Sequence, residues 1–268
     1  GYALDCEKWK TGCGKCPRLK NETGSLFFDN TKLSWKKMYH SFCNFKTLTL
    51  TSVSPWLKDR AKESEILKRY RNYVVLNGID TENIFHITDG SIRNDLNLQN
   101  KKVILHVTAS FTRKIKGGEY VIELANRMKD FTFVVVGNND KNIKLPNNII
   151  DVGRIKDQKK LAEFYTMADV LLITSEKETF CMPVAESLCC GTPVVGFKAG
   201  APEQIAIEEY SKFVDFENVD LLQEELLRML NTKYDALEIQ RVAHAKYSKT
   251  IMANEYMKIY AKILIRGK

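Results

Sequence analysis

Val170-Leu-Leu-Ile-Thr174, followed by Glu178-Thr-Phe-Cys-Met-Pro-Val-Ala-Glu186-Ser-Leu-Cys-Cys-Gly191-Thr-Pro193-Val-Val-Gly-Phe197, is the stretch whose reading decides the fold. The first segment is a short apolar run bounded by polar residues, which predicts a buried strand. Pro183 suits the first position of a helix, where its missing N–H costs nothing. Gly191 suits the position just past the helix end, where a left-handed backbone is needed. Pro193 opens the next apolar run at a strand's first residue, where proline is tolerated. The stretch therefore reads as one βαβ unit, with Glu178 in the loop before the helix and Glu186 inside it. In such units a ligand sits beyond the carboxyl ends of the strands.

Working outward, Lys101 to Ser110 predicts a strand, and Lys116-Gly117-Gly118 opens a helix through about Arg127. Phe131-Thr-Phe-Val-Val-Val136 is the next strand, ending at Gly137. Ile149 to Ile155 and an amphipathic stretch from Lys159 to Ala168 come before the decisive unit. Lys212-Phe-Val-Asp215 reads as a last strand, with helices over 219–231, 234–244 and 250–265. Alternating strands and helices predict an α/β, doubly wound domain with a parallel sheet. No G-x-G-x-x-G follows any strand, which argues against a nicotinamide or flavin site.

The chemistry suggested is grip on a sugar nucleotide. Backbone N–H groups of Phe180, Cys181, Met182 and Val184 would face phosphate at a helix N-terminus. Glu186 would accept hydrogen bonds from ribose hydroxyls, and Glu178 from those of a hexose. The plainer reading makes both glutamates solvated residues flanking an ordinary helix. The whole string, however, resembles the E-x7-E signature of glycosyltransferase family 4, retaining enzymes of the GT-B fold. Glu178, Phe180, Glu186, Gly191, Pro193 and Glu203 fall in register with it, while Cys181 stands where the family usually has Gly and Ser187 where it has Ala.

The resemblance implies a metal-independent transfer of a sugar from a UDP- or GDP-sugar to a saccharide or lipid-linked acceptor, with no cofactor. It implies that Lys116, beside Glu178 as a catalytic residue, neutralises the leaving diphosphate, a task suited to a fixed cation. The family's usual arginine upstream of that lysine is replaced by Ser110 and Phe111, so Arg113 is the candidate substitute. Ile155 is the expected main-chain contact to the base, or alternatively a core residue. Bacterial capsule or lipopolysaccharide assembly is the implied setting. A chain that only binds nucleotide sugar, and a GT-B nucleotide-sugar epimerase, are the alternatives.

The region before residue 100 reads differently. Thr47 to Val53 alternates as a strand, Pro55 begins a helix reaching Arg69, and Tyr73 to Leu76 is another strand. Asn77-Gly78-Ile79-Asp80, with Phe85 following, is similar to the family's exit from its N-terminal domain, and Thr88 to Asn100 reads as a loose connection. The resemblance therefore implies a GT-B arrangement in three parts. Residues 1–90 form the C-terminal part of a Rossmann-like acceptor-side domain and the linker, and residues 91–250 a complete donor domain. Residues 251–268 form a helix packing back towards the first part. An N-terminally truncated chain, inactive alone, is expected, because the family's histidine would precede Gly1.

Gly12 to Pro17 matches a family subgroup with a G-C-x-x-C-P string. Cys6, Cys13 and Cys16 offer three thiolates, a candidate zinc cluster if Cys43 joins them, or else reduced thiols. Cys181, Cys189 and Cys190 read as small core residues. Unpaired thiols fit a reducing cytoplasm, and no run of apolar residues is long enough to span a membrane. Residues 1–72 hold 15 Lys and Arg against 7 Asp and Glu, whereas residues 73–268 hold 26 of each. That concentration suggests an anionic partner, or else a solvated basic surface with no partner. The family resemblance, with its lipid-linked acceptors, implies peripheral association with an anionic membrane surface at the inner face of the plasma membrane. Nucleic acid is the weaker reading of the charge, because no recognised binding motif accompanies it. Trp35, Tyr39, Phe42 and Phe45 fall at helical spacing and read as core.

Overall fold

The computed structural model describes residues 6–22, 25 and 27–266. The chain divides into two compact units, Gly1–Val75 and Leu76–Lys268.

The first unit holds a 3-10 turn at Lys8–Lys10, short α1 (Leu19–Glu22), α2 (Thr31–Cys43), β1 (Thr49–Ser52), α3 (Pro55–Glu63) and β2 (Arg71–Val74). β1 and β2 are parallel, with Thr49 opposite Arg71, so β1-α3-β2 is a crossover. α3 begins where the Ser54 side chain accepts from the Leu57 N–H at 3.2 Å and Pro55 occupies the first turn. It stops at Glu63, short of the expected Arg69, because Ser64 turns to an extended backbone. Its carbonyl then accepts from the N–H of Leu67 and Lys68 instead. The expectation of a core on α2 fails, since no residue of that helix is buried. Trp35 and Phe42 instead line a cavity of about 300 Å³, and Phe45 is 51% exposed. Among the described residues of this unit, Ile66 and Val75 are the buried apolar side chains.

The second unit begins earlier than the sequence suggests, at Leu76 rather than near residue 90. Ile79 bridges to Ser248 and donates its N–H to Tyr247, and the Ile87 N–H donates to the Gln240 side chain at 2.6 Å. Ile79 and Phe85 are buried, so this stretch belongs to the second core. Nor is 88–100 loose. It contains α4 (Ile92–Asp95), Ile92 and Leu98 are buried, and the Arg93 guanidinium donates to Asp169 at 2.8 Å and to the Leu98 and Lys101 carbonyls.

The sheet follows: β3 (Val103–Val107), β4 (Thr132–Val136), β5 (Ile149–Asp151), β6 (Val170–Ile173), β7 (Val194–Phe197) and β8 (Ser211–Val214). All neighbours pair in parallel, in the order β5-β4-β3-β6-β7-β8. The crossovers are α5 (Gly118–Arg127), α6 (Gln158–Met167), α7 (Met182–Cys189) and α8 (Pro202–Ile205); α9 (Val219–Asn231), α10 (Ala236–Tyr247) and α11 (Lys249–Arg266) close the unit. Leu222, Leu226, Met229 and Leu230 recur at helical spacing on α9 and pack with Val121, Leu124, Phe133 and Val195. The order reverses between β3 and β6, the switch point at which doubly wound sheets open a crevice.

Candidate functional site

The loops that leave β3 and β6 meet over that switch point. The Glu176 N–H donates to the Ile115 carbonyl at 2.9 Å, and the Thr174 hydroxyl donates to the Lys116 carbonyl at 3.1 Å. Gly117 permits this approach. Its φ is +67°, and a Cβ there would lie 2.2 Å from the Thr174 carbonyl oxygen. The result places the Lys116 Nζ 2.6 Å from Glu178 Oε1, with the two side chains only 24% and 17% exposed. Glu178 is held from its other side. Its N–H donates to the Ala199 carbonyl, and its own carbonyl accepts from the Ala201 N–H. The Glu203 carboxylate caps that turn by accepting from the Ala199 and Gly200 N–H groups at 3.0 and 2.9 Å. Glu203 is therefore a positioning residue for Glu178.

Lys116, Glu178 and Glu186 line one cavity of about 450 Å³. Phe180, Cys181, Met182 and Ile155 also line it, so the structure brings together the expected donor-side residues other than Arg113 and Val184. Arg113 is exposed and stands outside the lining. Val184 also departs from expectation, because its N–H donates to the Cys181 carbonyl and is spent on the turn that starts α7. Cys181 precedes α7 with φ +74°, in the left-handed region where glycine is at ease. The backbone keeps the glycine-type conformation although a side chain has to be fitted. That side chain is buried, and burial pushes its thiol pKa well up.

Glu186 sits within the helix and is 8% exposed. Burial pushes its pKa up to about 7, against the opposing effect of the Tyr165 hydroxyl, which donates to Glu186 Oε2 at 2.8 Å. That contact leaves Oε1 for another donor. His106, on β3, lines the same cavity. Its ring is buried, its Nδ1 lies 3.0 Å from the Leu172 carbonyl oxygen, and burial lowers its pKa to about 4. Arg154, exposed after β5, is another lining group that sequence reading passed over. The signal for His106 was available, as the one polar side chain in the apolar run Val103–Val107. Tyr165 was hidden in an amphipathic stretch where any aromatic reads as core.

Away from the cavity, Cys6, Cys13 and Cys16 are half-buried and unpaired. Among the described residues no three His, Cys, Asp or Glu side chains are placed to hold a metal ion, so the candidate zinc cluster is not assembled. Burial and its neighbours Cys6 and Cys16 raise the Cys13 thiol. Cys181, Cys189 and Cys190 are buried, as expected of small core residues. Among the described residues no helix is long and apolar enough to cross a membrane.

The fold has known counterparts. The putative colanic acid biosynthesis glycosyl transferase WcaC of Escherichia coli is 22% identical over 276 residues, covering 96% of this chain and 64% of that protein. A Campylobacter jejuni protein, N,N'-diacetylbacillosaminyl-diphospho-undecaprenol alpha-1,3-N-acetylgalactosaminyltransferase, is 25% identical over 63% of this chain and 47% of its own length. The crystal structure of Anabaena HepE in complex with UDP superposes with a TM-score of 0.69 at 16% identity, covering 88% of this chain and 69% of that one. The fold is thus that of the GT-B glycosyltransferases. The chain spans roughly half the length of curated relatives it matches, 48% and 57% for two of them. The sequence profile of the glycosyl transferases group 1 matches residues 89–249, more than half of the chain, and the protein belongs to that family.

Proposed function

We propose that the second unit binds a nucleotide-diphosphate sugar for retaining transfer of the family 4 type. In the intact protein the acceptor is a saccharide or a lipid-linked saccharide of polysaccharide or lipopolysaccharide assembly. The observation that carries this is the convergence of Lys116, Glu178 and buried Glu186 on one cavity at the switch point. Lys116 supplies the positive charge that the departing diphosphate requires, so no divalent cation is called for. Glu186 offers a carboxylate oxygen to ribose hydroxyls. Glu178, one loop earlier, is placed for the hydroxyls of the transferred sugar. Lys116 and Glu178 are paired at 2.6 Å, and the donor is expected to separate them by giving each a partner of its own. The relatives' names support this reading: one is named for colanic acid biosynthesis, another as an N-acetylgalactosaminyltransferase acting on a diphospho-undecaprenol-linked sugar, and the HepE structure is a complex with UDP. Excess positive charge in residues 1–72 supports peripheral contact with an anionic membrane surface at the cytoplasmic face.

Calorimetric titration with UDP, GDP and their hexose conjugates, with and without chelator, tests the reading. Glu186→Gln is expected to weaken nucleoside diphosphate and conjugate alike. Glu178→Gln is expected to weaken the conjugate only, each by about 1.5–3 kcal/mol as for a hydrogen bond to a charged group. Lys116→Met is expected to cost diphosphate affinity far more than monophosphate affinity. Equal losses for every ligand in every variant, or binding abolished by chelator, contradict the assignment. A second reading, donor binding without transfer by these residues alone, is favoured by the scant burial in the first unit. Catalysis needs an acceptor held in near-attack geometry, and a radiolabelled transfer assay at saturating donor separates the two.

A further inference from the structure

His106 is the buried group in this cavity to which the proposed function assigns no task. The residue is 2% exposed, and its ring meets the Phe111 ring edge-on, with centroids 5.7 Å apart. Because a carbonyl oxygen only accepts, the Nδ1 facing Leu172 must carry the proton, at 3.0 Å. In the neutral ring Nε2 is therefore a bare acceptor, and it has no hydrogen-bond partner among the described residues. An unpartnered polar atom at this depth is costly and calls for an explanation. Lys116 lies close enough to disfavour a second proton on the ring, as burial does more strongly. The atom thus asks for an O–H or N–H donor, and it does so beside the residues assigned to the diphosphate and the hexose.

We infer that His106 Nε2 accepts a hydrogen bond from a hydroxyl of the transferred sugar and so helps to select which sugar is bound. This rests on the nucleotide-sugar reading above. Phosphate oxygens carry no proton to give, and they are served by Lys116. The ribose is assigned to Glu186 and the base to the Ile155 side of the cavity, which leaves the hydroxyls of the transferred sugar. A site built to receive one hydroxyl rejects the sugar that lacks it, because the buried acceptor is then left unpaired. Among hexoses that differ only in the orientation of one hydroxyl, this acceptor distinguishes one epimer from another.

The test compares wild type with His106→Phe, which keeps the ring and its edge contact, and His106→Gln, whose side-chain carbonyl restores an acceptor. The probes are UDP-glucose, UDP-galactose, GDP-mannose and the free nucleoside diphosphates. For the conjugate that wild type prefers, His106→Phe is expected to bind about tenfold more weakly, the worth of one buried hydrogen bond. Nucleoside diphosphate affinity is expected to be unchanged, and His106→Gln to recover part of the loss. A deoxy analogue lacking the matched hydroxyl should bind wild type and His106→Phe alike. If wild type binds none of the conjugates, the nucleotide-sugar reading fails and this inference with it. If wild type binds a conjugate and His106→Phe keeps the same affinity, or loses diphosphate affinity equally, only the role of His106 is overturned.

Discussion

Glu186 and His106 are buried titratable neighbours of one cavity whose pKa values move in opposite directions, so their effects on stability oppose each other. Glu186 holds its proton to about pH 7 in the fold against an ordinary 4.5. The folded state therefore binds the extra proton, and the stability this contributes is lost as pH rises from 4.5 to about 7, up to roughly 3 kcal/mol. His106 protonates at about 4 in the fold against an ordinary 6.5. Here the unfolded chain takes the extra proton, and a similar amount, roughly 3 kcal/mol, is lost as pH falls from 6.5 to 4. Between pH 4.5 and 6.5 the two slopes nearly cancel. Relative to wild type, Glu186→Gln is expected to lose stability on acidification through that window, and His106→Phe to lose it on alkalinisation. Urea denaturation at pH 5, 6 and 7 checks this, and parallel pH profiles for all three proteins would refute the assignment. Above pH 7, Glu186→Gln is expected to be more stable than wild type while binding nucleotide less well. That pairing is the signature of a carboxylate kept buried for its ligand.

At the scale of elements, the site depends on two strand-to-helix loops knitted together across the switch point. The Lys116 backbone is tied to Thr174, and the Ile115 carbonyl to Glu176, so the ammonium is aimed by the loop's fixed shape and not by its own flexible stem. Gly117 is where that knit is tightest, since a Cβ would overlap the Thr174 carbonyl in a left-handed backbone. Gly117→Val is expected to destabilise the unit by about 2 kcal/mol or more, combining backbone strain with a steric clash. It should also raise the Kd for nucleoside diphosphate, read by thermal denaturation and titration. A variant with unchanged melting and unchanged affinity would show that the loop adapts freely. Glu203 serves the opposite loop by capping the turn against which Glu178 rests. The element boundaries were largely legible in the sequence because caps and punctuation are local. α9 was read at its observed bounds, and α7 began at Met182, one residue before the Pro183 expected at its first position.

At the scale of the whole molecule, the buried apolar side chains are concentrated in the second unit. Most of the strand residues of β3, β4, β6 and β7 are buried, whereas β1 and β2 pair with only Ser52 buried among them. Local opening should therefore cost far less in the first unit. Native-state hydrogen exchange is expected to show the amides of residues 49–52 and 71–74 exchanging through low-energy openings. Those of 103–107 and 170–173 are expected to exchange only near the global unfolding limit. Equal protection in the two sheets would contradict that picture.

What the sequence determined by itself was everything carried by local rules: the alternation of strand and helix, the doubly wound class, and the spacing that puts Glu178 before α7 and Glu186 inside it. The register of Lys116, Glu178, Glu186 and their neighbours could be read because each follows a strand whose end is marked by glycine, proline or a change in polarity. That Arg113 is exposed and outside the cavity lining was not legible, because a loop's path is set by what it packs against. The stretch 88–100 looked loose because its order comes from Asp169, a partner 76 residues from Arg93. Only the tertiary structure decided that Lys116 and Glu178 meet, that Glu186 is buried beside Tyr165, and that His106 is left with a bare acceptor. Each of those depends on strands distant in the chain lying side by side, and on the low-dielectric interior that results, neither of which a local pattern encodes.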